Sequence, residues 1–251
     1  MKPSISILGL GWLGAPLAQA LVQQEYKVLG STRSASRTSE GISHFMVDIS
    51  DPEQEYQAFL ASETLIIAIP SKDFEGFKRL IKQIESSEIK YVLLISSTSV
   101  YPMVNGIVTE ASKTLKSVRT EIEQLFVSNS QFSTTVLRFA GLYGYDRQPG
   151  NFFKPGKVIN YPEGYVNMIH RDDCIGVIQA ILQQKLWGEI LNACADDHPT
   201  RRTYYTWAAA QVGRTDLSFN EEGETLYKLV SSQKLRDSLG YEFQHGKLMT
   251  E

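Results

Sequence analysis

Gly9, Gly11 and Gly14, in the run Gly9-Leu10-Gly11-Trp12-Leu13-Gly14, have the types and spacing to bring backbone against a pyrophosphate. A first glycine takes a turn closed to other residues, a second clears a side chain from the path of the phosphates, and a third lets a helix pack closely on a strand. The anion would then rest on free amides at the helix start, where the backbone dipoles favour negative charge. The flanking residues agree with this. An apolar run, Ile5 to Leu8, precedes the turn, and Leu13, Leu17, Ala18, Leu21 and Val22 mark one face of a helix after it. The segment reads as a strand, a turn and a helix that hold a dinucleotide, the alternative being a purely structural corner. Trp12 and Leu13, inside the turn, count with the glycines as cofactor contacts.

The second strand, Lys27 to Ser31, leads into Thr32-Arg33, with Arg37 nearby. NAD-binding chains usually carry an acid here, about 20 residues after the glycines, to accept hydrogen bonds from the ribose. Ser31, Thr32 and two guanidinium groups instead suit a 2′-phosphate, which arginine grips bidentately and a carboxylate would repel. NADP is therefore expected ahead of NAD, the alternative being a solvated basic loop. Ala68, Ile69 and Pro70 close the strand Thr64 to Ile69 at its C-terminal end, where open α/β sheets bind ligands, and are expected to touch the same cofactor.

The elements that must carry these residues alternate between strand and helix. After the first pair come strands at Lys27 to Ser31 and His44 to Val47, a helix at Pro52 to Ala61, and the strand at Thr64 to Ile69. A helix at Asp73 to Ser86, a strand at Tyr91 to Ser96, a helix at Ser112 to Val127 and a strand at Thr134 to Arg138 follow. Such alternation specifies a doubly wound parallel sheet with helices on both faces. Residues 1–144, completed by about 167–195, are expected to form this dinucleotide-binding core. The completing segment carries a helix near Asp172 to Gln184 and a late strand at Glu189 to Cys194, and residues 145–166 and 196–251 are expected to form a small C-terminal substrate lobe with helices near Thr203 to Val212 and Ser231 to Leu239.

With 251 residues, 42% apolar content and a net charge of -3, the chain can bury a substantial core and offers no basic face for nucleic acid. Its apolar runs are short for a membrane span and no cleavable leader pattern opens it, so a cytoplasmic protein acting on a small molecule, as monomer or homodimer, is expected. Cys174 and Cys194 read as small buried hydrophobes.

Four blocks together resemble the extended and atypical short-chain dehydrogenase/reductases, the NAD-dependent epimerase/dehydratase group with a Rossmann fold. They are the glycine turn, Ser96-Ser97-Thr98-Ser99-Val100-Tyr101, Leu137-Arg138-Phe139-Ala140-Gly141-Leu142-Tyr143-Gly144, and Val166-Asn167-Met168-Ile169-His170-Arg171-Asp172-Asp173. The resemblance implies an oxidoreductase or epimerase with a small polar substrate, by analogy a sugar or nucleotide sugar. It implies that Asp48, with Ile49 beside it, contacts the adenine end of the cofactor, and that Ser97 polarises a substrate carbonyl or hydroxyl.

One departure stands out, because the family's usual Tyr, followed four residues later by Lys on the helix after the Ser strand, is missing. Leu115 and Arg119 fall at those places when Glu123 anchors the register, and Lys113 and Ser117 when Glu121 does. Losing a positioned acid or base typically costs about 10²- to 10⁴-fold in rate. Tyr143, ahead of Tyr101, is the candidate replacement proton donor, the alternative being that both are packing aromatics. A catalytically silent, NADP-binding redox sensor is the competing function. Asn167 and His170 are candidate substrate contacts, whereas Asp172 and Asp173 read as helix-capping acids. His44, His198 and His245 are isolated in sequence and no zinc-ligand spacing appears, so no metal is expected.

Overall fold

The computed structural model describes residues 3–34 and 39–250. The chain forms a mostly parallel seven-stranded sheet flanked by helices. In chain order its first elements are β1 (Ser4–Leu8), α1 (Gly14–Gln23), β2 (Lys27–Thr32), β3 (Ile42–Met46), β4 (Thr64–Ile67), α2 (Phe74–Glu85) and β5 (Tyr91–Ser97). The sheet runs Ile190–Ala193, Ser133–Phe139, β5, β4, β1, β2, β3. Neighbours from β5 across to β3 are parallel, with Ile5 opposite Val28 on one side and Thr64 on the other. Strands covered on both faces should be apolar throughout, and Leu65, Ile66 and Ile67 are all buried.

The chain divides into two compact units. The first comprises residues 1–96, 116–137 and 178–190, and the second comprises 97–115, 138–177 and 191–251. The segments 145–166 and 196–251, expected to form a lobe, lie within the second unit. Among the described residues no helix is long and apolar enough to cross a membrane.

Helix α2 shows how local chemistry sets these elements. Asp73 accepts the Gly76 amide at 2.9 Å as its cap, and Phe77, Leu80, Ile81 and Ile84 then fall on one buried stripe. Two expected helices are corrected. Residues 52–61 form turns, because Gln54 and Gln83 satisfy the backbone instead of an i to i−4 ladder. The Gln54 side chain accepts the Asp48 amide and donates to the Met46 carbonyl, and Gln83 does the same for the Tyr56 amide and the Gln54 carbonyl. This irregular stretch still buries Tyr56, Phe59 and Leu60. Helix α3 (Val118–Val127) starts six residues later than expected, where Ser117 and Thr120 cap it reciprocally.

Helix α4 (Arg171–Gln184), whose first half belongs to the second unit, is followed by α5 (Arg201–Gln211) and α6 (Gln233–Leu239). Asp173 does not serve as an N-cap, although an acid in the first helical turn complements the dipole. This residue lies in the first turn of α4, fully buried, and its carboxylate accepts the Gln244 amide at 2.7 Å, the His245 amide at 3.0 Å and the Tyr241 hydroxyl at 3.0 Å. It therefore ties the C-terminal segment to α4. Cys174 and Cys194 are buried and unbridged, and burial pushes the Cys194 thiol up to about 12. Replacing Asp173 by Ala leaves three donors without their acceptor. The expected outcome is a loss of at least about 2 kcal/mol in urea unfolding, with the Gln244 and His245 amides losing protection from hydrogen exchange first.

Candidate functional site

The glycine turn performs the steric tasks its sequence suggested. Gly9 has φ +101°, and a Cβ there would lie 2.6 Å from Ile69 Cγ2. A Cβ on Gly14 would fall 2.0 Å from the Gly9 carbonyl oxygen, so the first turn of α1 sits directly on the end of β1. Around Gly11 a Cβ would meet nothing within 4 Å, which leaves its backbone open to approach. The α1 ladder starts with the Ala15 amide on the Gly11 carbonyl, and the helix has neither a side-chain cap nor an acid in its first turn. An anionic group fits amides left in that state.

Beside the turn lies a cavity of about 240 Å³. Gly9, Ser31, Thr32, Arg33, Asp48, Ile49, Ile69 and Pro70 line it, so eight of the residues singled out from sequence meet around one space. Leu8, Val47, Ser50 and Ser71 complete the wall and were missed. Val47 could have been found, because it flanks Asp48 in the same apolar alternation as Ile49. Gly11, Trp12, Leu13, Gly14 and Ala68 do not line the cavity. Leu13 is buried in the core and the Ala68 amide donates to the Leu8 carbonyl. Arg37 lies outside the described residues.

Within the cavity the polar groups divide by role. Ser31 is 1% exposed, and its hydroxyl lies 3.3 Å from the Gly9 amide as acceptor and 3.5 Å from the Ile7 carbonyl as donor, so it braces the turn. Thr32 donates to the Ser34 carbonyl at 2.6 Å. Arg33 is exposed at the end of β2. The Asp48 carboxylate accepts the Ser50 hydroxyl and amide. Those two bonds, and after them the Arg33 charge, hold its pKa below the ordinary carboxylate value.

The remaining candidates, Ser97, Tyr101, Tyr143, Asn167 and His170, all belong to the second unit. Half-buried Ser97 accepts the Ser99 amide at 3.1 Å and caps the short turn Thr98–Val100. Tyr101 is 1% exposed, and its hydroxyl accepts from Arg138 Nη1 at 2.6 Å and donates to Asn192 Oδ1 at 2.9 Å. The backbone N–H of Asn192 donates to Glu110 Oε1, and the buried Lys228 ammonium donates to the Tyr101 carbonyl at 2.6 Å. Burial lowers the Lys228 pKa. Burial outweighs the Arg138 charge on Tyr101 and raises that phenol.

The Asn167 side chain is committed at both ends, donating to the Lys228 carbonyl and accepting the Val230 amide, so it clamps the strand Lys228–Val230. Tyr143 packs on Val166, Met168, Ala195, Tyr204 and Leu248, and meets His170 edge to face at 5.0 Å. Burial, then the charges of Asp173 and Asp197, push its phenol up to about 12. At neutral pH Tyr143 thus carries its proton and can only donate it. Leu115 precedes α3, its amide bound to the Val100 carbonyl, while Arg119 lies in the first turn of α3. No phenol replaces the missing Tyr at the Leu115 place.

Residues 4–99 match a family model described as NADP oxidoreductase, coenzyme F420-dependent. The chain is 31% identical over 265 residues to Protein YeeZ of Escherichia coli strain K12, covering 96% of each. Among solved structures it is similar to a conserved Silicibacter pomeroyi protein of unknown function, with TM-score 0.81, 20% identity, and 98% and 95% of the two chains covered. It is also similar to UDP-glucuronic acid 4-epimerase of Bacillus cereus, solved in complex with NAD, with TM-score 0.78, 18% identity, and 96% and 94% covered.

Two glycine substitutions separate binding from folding at this turn. Gly11→Trp fills the open approach and is expected to abolish dinucleotide binding in calorimetry with the Tm unchanged. Gly14→Ala drives a methyl into the Gly9 carbonyl and is expected to lower stability by about 1–3 kcal/mol in urea unfolding.

Proposed function

The chain belongs to the family of YeeZ and has the fold of the epimerase/dehydratase branch of the short-chain dehydrogenase/reductases, and on that premise we propose that it binds NADP and reduces or epimerises a small polar substrate. The observation that carries this reading is the uncapped, glycine-cleared start of α1 beside a cavity with Arg33 at the end of β2 and no acid there. The turn amides and Gly11 would hold the pyrophosphate, Val47, Asp48 and Ile49 the adenine end, and Arg33 a 2′-phosphate. When bound, the nicotinamide supplies or accepts hydride. The Ser97 hydroxyl would hold the substrate oxygen, and Tyr143, kept protonated, would donate the proton an alkoxide needs. Tyr101 is disfavoured for that step because both of its hydroxyl's hydrogen bonds are used inside the core. Sugar and nucleotide-sugar substrates are the first class to test, since the Bacillus cereus neighbour is a nucleotide-sugar enzyme.

A second reading has its own support. With α3 beginning only at Val118, the Leu115 place lies ahead of the helix that carries the catalytic Tyr and Lys in related enzymes. A protein that binds NADP without turnover and signals redox state is consistent with that loss.

Calorimetric titration with NADPH and NADH decides the cofactor. NADPH is expected to bind at least about 10-fold more tightly, a difference of about 1.4 kcal/mol, and Arg33→Ala to remove that preference. Equal or better NADH binding by the unaltered protein overturns the NADP assignment. NADPH oxidation with a panel of carbonyl substrates then separates the two functions. Turnover that falls about 10²-fold or more in Ser97→Ala and in Tyr143→Phe supports the enzyme, and tight binding without turnover across the panel supports the sensor.

A further inference from the structure

The second unit holds a cluster that the dinucleotide reading does not use. His170, Asp172 and His245 bring their donor atoms within 4.8 Å of one another. Asp172 Oδ2 lies 3.5 Å from His170 Nδ1 and 3.5 Å from His245 Nε2. Ligands at about 2.0–2.1 Å from a tetrahedral ion are separated by about 3.4 Å, so two edges of such a tetrahedron already stand at nearly the right length. We propose that His170, His245 and Asp172 form a site for a divalent transition ion of the zinc class, with solvent as the fourth ligand.

The surroundings fix each ligand. Gly144, at φ +117°, backs onto the His170 ring, where a Cβ would lie 2.3 Å from Nε2. Backbone therefore covers that nitrogen and Nδ1 faces the cluster. The Tyr145 hydroxyl donates to Asp172 Oδ1 at 2.9 Å, which turns Oδ2 toward the imidazoles. Asp173 anchors the backbone amide of His245 at 3.0 Å, so that ligand is held in place although it comes from the far end of the chain. Outer contacts of this kind orient metal ligands and tune their basicity. The His170 and His245 rings lie 3.8 Å apart between centroids, tilted by 36°, with the carboxylate bridging them. Two imidazoles and one carboxylate favour zinc-class ions over the all-oxygen cations Mg²⁺ and Ca²⁺. His170 is 11% exposed, whereas His245 and Asp172 are 39% and 35% exposed, so solvent reaches the cluster from one side, as in three-ligand zinc centres. The Asp172 amide donates to His170 Nδ1 at 3.2 Å, a long bond that a divalent ion would displace.

The test uses the full chain stripped with a chelator, then titrated with Zn²⁺ against a chromophoric chelator and with Co²⁺ in the visible range. The expected result is one ion per chain, Co²⁺ bands of tetrahedral intensity, and a Tm that rises with Zn²⁺. His245→Ala is expected to weaken Zn²⁺ binding at least about 100-fold, and Tyr145→Phe about 10-fold, with NADPH affinity unchanged in both. Failure of the unaltered protein to compete for Zn²⁺ or to show Co²⁺ bands overturns the site. So does Zn²⁺ affinity that neither substitution alters.

Discussion

The first unit depends on the closeness of Gly14 to the carbonyl of Gly9. With no side chain at either position, α1 begins directly on the end of β1, and its leading amides stay clear of any side-chain acceptor. The same approach leaves room beside β1, β2 and β4 for the cavity bounded by Gly9, Arg33, Asp48 and Ile69. A bulkier residue at either glycine would push the helix away from the end of β1. Packing of helix on strand therefore sets the steric requirement at Gly9 and Gly14, while a Cβ at Gly11 would meet nothing within 4 Å.

The second unit is organised by buried polar groups. Arg138, Tyr101, Asn192 and Glu110 form a chain of hydrogen bonds, and Lys228 reaches the Tyr101 backbone from the strand that Asn167 clamps. Satisfied networks of this kind specify one arrangement of the segments they join, because any other arrangement leaves charged or polar groups buried without partners. Asp173 does the same for the C-terminal segment. Side chains that look chemically active in the sequence, Tyr101 and Asn167 among them, are thus occupied in holding the unit together.

The start of α3 decides what lies at the Leu115 place. Ser117 and Thr120 cap the helix at Val118, so the stretch before it, with Leu115 bonded to the Val100 carbonyl, cannot carry a Tyr and Lys on one helical face. In the reading proposed here, the proton for any reduction comes from Tyr143, which its raised pKa keeps protonated at neutral pH while making it a weaker acid than an ordinary tyrosine.

The alternation of strand and helix, the glycine turn and most of the cavity wall could be read from the amino-acid sequence alone, because they rest on local rules. Backbone freedom at Gly9, the apolar stripe of α1, the acid-free end of β2 and the loops at strand ends all act over a few residues. Tertiary structure decided what depends on distant partners. Gln83 replaces helical bonding in the 52–61 stretch, Asp173 binds Gln244 and His245 in place of its own helix, and His245 arrives beside His170 and Asp172 from the other end of the chain. A hydrogen-bond partner or a third ligand brought by chain folding leaves no mark in local spacing, so these contacts appear only once the backbone is in place.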